Sequence, residues 1–507
     1  MNSKLIAGLC LSLAALPLAA QTRDFGEGLA NLAPSRLLEN HDGRSAHWSG
    51  IGRLEITGEY SCTASLIDTR SPDSPDDAPA YLLTSGHCAE KRNGLMVTDR
   101  TVEGTIKFNF FADSEAQTFA LKRVNWSSMQ GIDIALIELQ APLNSVIAAG
   151  IQPLRIAEGI APQGQDILLV GAPLHLDDGH LRIAACTQQA SGDVLEQPWF
   201  WRHTMKNQCR DAREGGSGSP LLHRISNEMF AVMGTTTQGS TQATTVELPL
   251  GFPELSPDSN YGNPVTFLRD CFVDGVLSQD PQQCPLFPTF SVDFKSAPKQ
   301  HAKMGLDTEG QAIYPGWDLS FTLDTAWYRY KIVDRASECE NPDYYSPAIP
   351  AKDARIDDTM GPRIGMQLLC IVGVTSVDER PAQGLMRNAL TLAVELLAAG
   401  PSEAPKLNIK RLLAGYVVTS ELDPRLSAYY TSKMGPPQST DCADPQGYKK
   451  FHMSRFVTPS RLPLKICTQA YDLNGQPSAV REDLLPEIIV EQDPLPAGIR
   501  FSHIGLG

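Results

Sequence analysis

At 507 residues the chain is too long for a single hydrophobic core and must divide into several domains. A net charge of −15 excludes nucleic acid as the main partner, because a phosphate backbone would repel it. Aromatic content of 7%, with 40 Gly and 37 Pro spread among short apolar runs, points to mainly β structure.

Residues 1–20 read as a secretory signal: Lys4 gives a positive start, Leu5 to Leu18 an apolar stretch, and Leu18-Ala19-Ala20 a small-residue cleavage site. No other stretch is apolar enough to span a membrane. The chain is therefore expected to be secreted, extracellular or periplasmic, and monomeric. Cys10 lies before the cut, and the apolar run ahead of it is too short for a lipoprotein signal. Of the 11 cysteines, ten remain after cleavage. Export and an even count argue for disulfides over metal thiolates, and no C-x-x-C pair occurs. No metal site and no cofactor are expected.

Residues 21–47 lack periodicity and read as a propeptide or an N-terminal arm. Residues 48–286 hold short β-type runs separated by turns, a spacing that suits two six-stranded barrels. The acidic stretch Ser71-Pro72-Asp73-Ser74-Pro75-Asp76-Asp77 and the cluster His175, Asp177, Asp178, His180 read as polar hairpin tips in preference to cation sites.

The chemistry centres on Glu214-Gly215-Gly216-Ser217-Gly218-Ser219-Pro220. Glycines on both sides of a serine let the chain turn tightly and present the hydroxyl. They also let the backbone N–H groups of Gly215 and Ser217 converge on one spot as an oxyanion hole. The same string would serve as a linker, so partners decide. Upstream, Tyr81-Leu82-Leu83-Thr84-Ser85-Gly86-His87-Cys88 ends an apolar run on a His–Cys pair. Between the two, Gly131-Ile132-Asp133-Ile134-Ala135-Leu136-Ile137 sets one carboxylate inside an apolar strand. A buried Asp is costly unless paired, and a histidine N–H is the evident partner. The order His87, Asp133, Ser217 is one of the known triad orders.

On these residues the chain resembles the trypsin/chymotrypsin-like serine peptidases. Thr84-Ser85-Gly86-His87-Cys88 stands for the family's T-A-A-H-C, Asp133-Ile134-Ala135-Leu136 for D-I-A-L, and Gly215-Gly216-Ser217-Gly218-Ser219-Pro220 for G-D-S-G-G-P. Cys62-Thr63-Ala64-Ser65-Leu66-Ile67 stands for C-G-G-S-L-I. The resemblance implies a double β-barrel, the triad His87, Asp133 and Ser217, and a Cys62–Cys88 disulfide. Gly171-Ala172-Pro173 and Ser217-Gly218-Ser219-Pro220 are similar to segments of bacterial glutamyl and lysyl endopeptidases. In many family members a new N-terminus pairs with an Asp just before the nucleophile. Here that position is Gly216, so the usual zymogen switch has no carboxylate. Cys186 and Cys209 are expected to pair, and Cys271 with Cys284 to staple the end of this domain.

By the resemblance, Asp211 aligns with the S1 carboxylate of trypsin-like members and implies cleavage after Arg or Lys. A loop residue paired with Arg210 or Arg213 is the alternative. Gly234-Thr235-Thr236-Thr237 lies where the family pairs substrate as an extra strand, which makes Thr236 and Thr237 the candidate substrate-binding residues.

The second half repeats itself. Cys339-Glu340-Asn341-Pro342-Asp343-Tyr344-Tyr345 matches Cys442-Ala443-Asp444-Pro445-Gln446-Gly447-Tyr448, each followed by a cysteine in an apolar strand, Cys370 and Cys467. The offset suits two β-sandwiches of fibronectin or immunoglobulin type, residues 287–399 and 400–507, with Cys339–Cys370 and Cys442–Cys467 inside them. Pro-rich residues 285–288 and 398–405 mark the boundaries. Tyrosines there offer a surface for a glycan or cell-surface ligand, although half-buried strand residues are the plainer reading. Taken together, the sequence describes a secreted serine endopeptidase acting on proteins or peptides. The rivals are a peptidase with another P1 preference and a non-catalytic binding or adhesion protein on the same scaffold.

Overall fold

The computed structural model describes residues 23–488 apart from 60, 175, 191, 239–244, 248–255, 401, 424 and 452–453. The expected signal at 1–20 and His175 lie outside the described residues. After a two-residue strand β1 (Arg36–Leu37), the first unit contains β2 (Ile51–Ile56), β3 (Ser61–Leu66), β4 (Pro79–Thr84), β5 (Val97–Thr101), β6 (Gly104–Phe108), β7 (Gln117–Ser128) and β8 (Ile134–Pro142). Their sheet order is β5-β7-β6-β2-β3-β4-β8, and a further β7–β8 pairing closes six of them into a barrel. β8 carries a continuous apolar run because both its faces are covered, with Ile134, Leu136 and Ile137 fully buried.

The second unit comprises β9 (Asp166–Gly171), β10 (Arg182–Thr187), β11 (Gly192–Glu196), β12 (Trp199–Asn207), β13 (Pro220–His223), β14 (Met229–Thr236), β15 (Thr245–Glu247) and β16 (Asn260–Pro264). It forms one sheet of nine strands, β1-β10-β9-β13-β14-β16-β12-β11-β15. Three strands extend it beyond the expected six. The N-terminal arm lends β1 to one edge, and β11 and β15 extend the other beyond β12. The Cys186–Cys209 disulfide ties β10 to the residues just after β12.

The β11–β12 hairpin does not end in solvent. Leu195 and Phe200 lie in one apolar core with Phe290, Phe321, Leu369, Ile371 and Leu392. That core belongs to a five-stranded sheet (His301–Lys303, Leu390–Leu397, Gly365–Val374, Trp327–Val333, Ile349–Pro350) and a three-stranded one (Val292–Phe294, Leu319–Leu323, Arg355–Ile356). In the Pro-rich stretch 285–288, expected as a linker, Leu286 and Phe287 are buried and the two prolines half-buried. Leu286 accepts hydrogen bonds from the Trp126 indole (3.2 Å) and the Asn388 amide (2.8 Å). The last unit again has two sheets, of three and four strands, around a core that includes Val418, Val457 and Ile466. It touches the middle unit through Lys303–Asp472 (2.8 Å) and Arg425–Glu395.

The internal repeat has a common geometry. Cys339–Cys370 and Cys442–Cys467 are both bonded, each with Cα atoms 5.4 Å apart. Six residues after the first cysteine, the Tyr345 and Tyr448 hydroxyls each donate to that cysteine's own carbonyl at 2.8 Å. Opposite the second cysteine stands a lysine, Lys331 or Lys433, in register on the neighbouring strand. Each lysine lies over its tyrosine ring and donates to loop carbonyls. These two tyrosine hydroxyls are spent inside the fold.

Phe200→Ala empties a buried ring volume shared by the two units. It is expected to cost about 3–5 kcal/mol in a guanidinium unfolding curve, with the barrel and middle-unit signals shifting together.

Candidate active site

Asp133 closes the loop between β7 and β8 and is 2% exposed. Its Oδ2 lies 2.8 Å from Nδ1 of His87, and its Oδ1 accepts the His87 backbone N–H at 2.9 Å. The carboxylate thus fixes both the ring and the main chain of one residue. His87 sits on a single 3₁₀ turn (Gly86–Cys88) after β4, pinned by the Cys62–Cys88 disulfide to β3. Burial alone would strip the proton from the imidazole. The Asp133 charge and hydrogen bond, helped by Glu196, outweigh it and raise the His87 pKa above its usual value.

Ser217 lies on the loop before β13 and lines, with His87, a cleft of about 490 Å³. Gly218 is required where it stands, at φ +82°: a Cβ there would meet Thr63 O and Thr84 Oγ1, both at 2.1 Å. The carbonyl of Glu214 is tied to the Leu174 N–H at 2.7 Å, which turns the N–H of Gly215 the other way. Among the described residues neither that N–H nor the N–H of Ser217 has an intramolecular acceptor.

Gly216 offers no carboxylate, and the loop is held by Thr63 instead. Thr63 N–H donates to Ser217 O (2.8 Å), its hydroxyl donates to Gly215 O (2.9 Å), and the same hydroxyl accepts from Ala172 N–H (3.0 Å). Ala172 is itself gripped from the carbonyl side by buried Arg53 at 2.9 Å. The signal for Thr63 was present as a departure: it stands where the family motif has glycine.

Asp211 and Thr237, two of the expected substrate contacts, are not among the residues that line the cleft. Asp211 does not line the cleft. Its Oδ2 accepts the backbone N–H (2.8 Å) and hydroxyl (2.7 Å) of Ser35 from the N-terminal arm, and Arg182 donates to the same serine. Burial would raise its pKa, but these Ser35 bonds, with Arg182 and Arg213 nearby, hold it below the usual carboxylate value. It borders a cavity of about 20 Å³ beside Gly216 and Pro173. The neighbours expected from sequence, Arg210 and Arg213, form no salt bridge with it among the described residues. Thr236 lines the cleft, whereas Thr237 is buried, with its N–H on Ser259 O (2.8 Å) and its hydroxyl on Ser256 O (2.8 Å).

Sequence reasoning missed Glu196. It lines the cleft, accepts from the Trp201 indole (2.9 Å) and the Thr235 hydroxyl (2.8 Å), and burial raises its pKa. No cation lies within ion-pair distance of it among the described residues.

Residues 64–232 match the family model described as trypsin-like peptidase domain. The chain therefore carries a trypsin-like peptidase domain. Comparison with curated proteins gives no match. Among solved structures, the thermostable serine protease AL20 from an extremophilic microorganism is similar at 16% identity, covering 43% of this chain and 92% of that one, with a TM-score of 0.31. The protease Anisep from Arthrobacter nicotinovorans is similar at 14% identity, over 43% and 91%, with a TM-score of 0.28. Human heparin binding protein is similar at 15% identity, over 48% and 95%, with a TM-score of 0.31.

Thr63→Val keeps the volume and removes the hydroxyl. It should lower stability by about 1–3 kcal/mol in a denaturant curve and speed amide hydrogen exchange at residues 214–217.

Proposed function

We propose that this chain is a serine endopeptidase that works outside the cytoplasm. Ser217 attacks the scissile carbonyl, and His87 takes its proton and returns it to the leaving amine. Asp133 holds the imidazole tautomer and stabilises its charged form. The N–H groups of Gly215 and Ser217 receive the oxyanion. The acyl-enzyme is then released by water. The observation that carries this reading is the double hydrogen bond from His87 to a buried carboxylate, in the cleft that Ser217 also lines. Five disulfides fit an oxidising compartment.

Substrate is proposed to bind as an added strand. On its β13 side, β14 is hydrogen-bonded as far as Met233, which bonds Ser219 O and Gly218 N–H, while Thr235 and Thr236 pair with β16 on the opposite edge. The free edge at residues 234–236 faces the cleft and suits a peptide backbone. For a basic P1 residue, Glu196 is the better-placed carboxylate, since Asp211 is committed to Ser35.

Ser217→Ala should abolish both peptide hydrolysis and labelling by a fluorophosphonate probe; persistent labelling would remove Ser217 as nucleophile. Activity should rise as His87 loses its proton, so the acid limb of kcat/KM is expected above the usual 6.5. The raised pKa also means that the charged pair stabilises the fold below that value and that this contribution is lost as pH rises through the folded pKa. In a P1 library, Asp211→Asn should leave the Arg/Lys share unchanged, and Glu196→Gln should lower it about tenfold or more.

A further inference from the structure

Arg202, on β12, is 3% exposed and lies between the active-site loops and the middle unit. Every nitrogen of its guanidinium is used. Nε donates to Glu340 Oε1 (3.0 Å), and Nη1 donates to Ala389 O (2.8 Å) and Thr391 Oγ1 (2.7 Å). Nη2 donates to Arg387 O (2.5 Å). All four acceptors belong to residues 340–391, outside the barrels. On the other side, Arg202 N–H donates to Gly131 O (2.8 Å). The guanidinium lies so close to Gly131 that a Cβ there, at φ +72°, would fall 2.3 Å from Nη2. Gly131 is two residues from Asp133.

The middle unit reaches the same region twice more. Buried Gln130 donates from its side-chain amide to Phe290 O (3.2 Å) and Gly94 O (2.6 Å). Val292 N–H donates to Gly94 O (2.7 Å), and Met96 N–H donates to Ser291 Oγ (3.1 Å). Thus residues 290–292 support the loop that follows His87 and the loop that precedes Asp133. Trp201, beside Arg202, forms a bridge with Gly131 and carries the indole that holds Glu196 in the cleft.

We propose that the middle unit is a working part of the active site, and that Arg202 is the positioning residue through which it sets Asp133 against His87. This rests on the peptidase reading above. A guanidinium suits the task because its rigid fork fixes four acceptors at once, while its flat face rests on the glycine. Glu340 secures the far end. Burial would raise the Glu340 pKa, but His203, Arg202 and Arg387 outweigh that and hold it at about 2, so the pair stays charged at any working pH. Asp193, which accepts the His203 N–H, and Tyr345, whose hydroxyl pKa burial pushes up, are the other titratable neighbours.

The test uses the full chain, with Arg202→Met, Arg202→Lys and Glu340→Gln. Each is measured for kcat, KM, the pH profile of kcat/KM and the rate of fluorophosphonate labelling, with a thermal melt to establish folding. Arg202→Met is expected to lower kcat about 10- to 100-fold with KM within about threefold, the size of effect a small misplacement produces. Its acid limb should move to lower pH, because a displaced Asp133 supports the charged imidazole less. Arg202→Lys should recover part of kcat, and Glu340→Gln, which keeps the arginine, should show the same shift in smaller measure. Folded variants with unchanged kcat and pH profile would overturn the proposal and leave Arg202 a stability element. If Arg202→Met does not fold, an unchanged Glu340→Gln profile overturns it equally. Absence of labelling in the unmodified chain would sink the peptidase reading itself, and this proposal with it.

Discussion

A carboxylate buried to 2% exposure, accepting from both the ring and the backbone of one histidine, is the interaction on which the rest depends. An ionised Asp so far from water would cost several kcal/mol without compensation. Here the carboxylate's partners both come from the His87 turn after β4, while the Asp133 backbone is held by the Asn263 side chain, which receives its N–H (3.1 Å), next to the Gly131 corner backed by Arg202. His87, Asn263 and Arg202 are all distant from Asp133 in sequence, so the local geometry draws on the first barrel and the nine-stranded sheet together. The geometry of a few atoms thereby sets a demand on much of the chain.

What could be read in advance was the part written in short strings. A lone Asp inside Ile-Asp-Ile-Ala-Leu-Ile, a His–Cys pair ending an apolar strand and a glycine-flanked serine each carry their own physical reason. The Cys62–Cys88 pairing came with the family resemblance, and the other pairings from the order of the cysteines along the chain. What could not be read was set by contacts across long separations. Asp211 aligns with a specificity carboxylate, yet Ser35, 176 positions earlier, occupies it. Thr236 and Thr237 are chemically equivalent on paper, and only the pairing of β14 with β16 turns one toward the cleft. Glu196 and Arg202 belong to a hairpin whose role depends on a unit that begins some ninety residues later, and no local pattern announces it.

The second half shows a further limit of pattern reading. Cysteine and tyrosine spacing revealed the repeat, but the lysine that completes it comes from a strand before the loop. Lys331 and Lys433 place an ammonium over an aromatic face and cap loop carbonyls, so each disulfide loop is secured by a covalent bond, a hydroxyl and a charge together. Tyr345 and Tyr448 are thereby structural in both copies, while Tyr344 beside the first of them is 93% exposed.

The hydroxyl that clamps the Ser217 loop has one more implication. An α-amino group that orders such a loop through an ion pair loses its charge near pH 8 in its unperturbed state, and with it the electrostatic hold. Thr63 has no proton to lose in that range and needs no chain end to be created. A loop held by this hydroxyl depends on no group that ionises in that range.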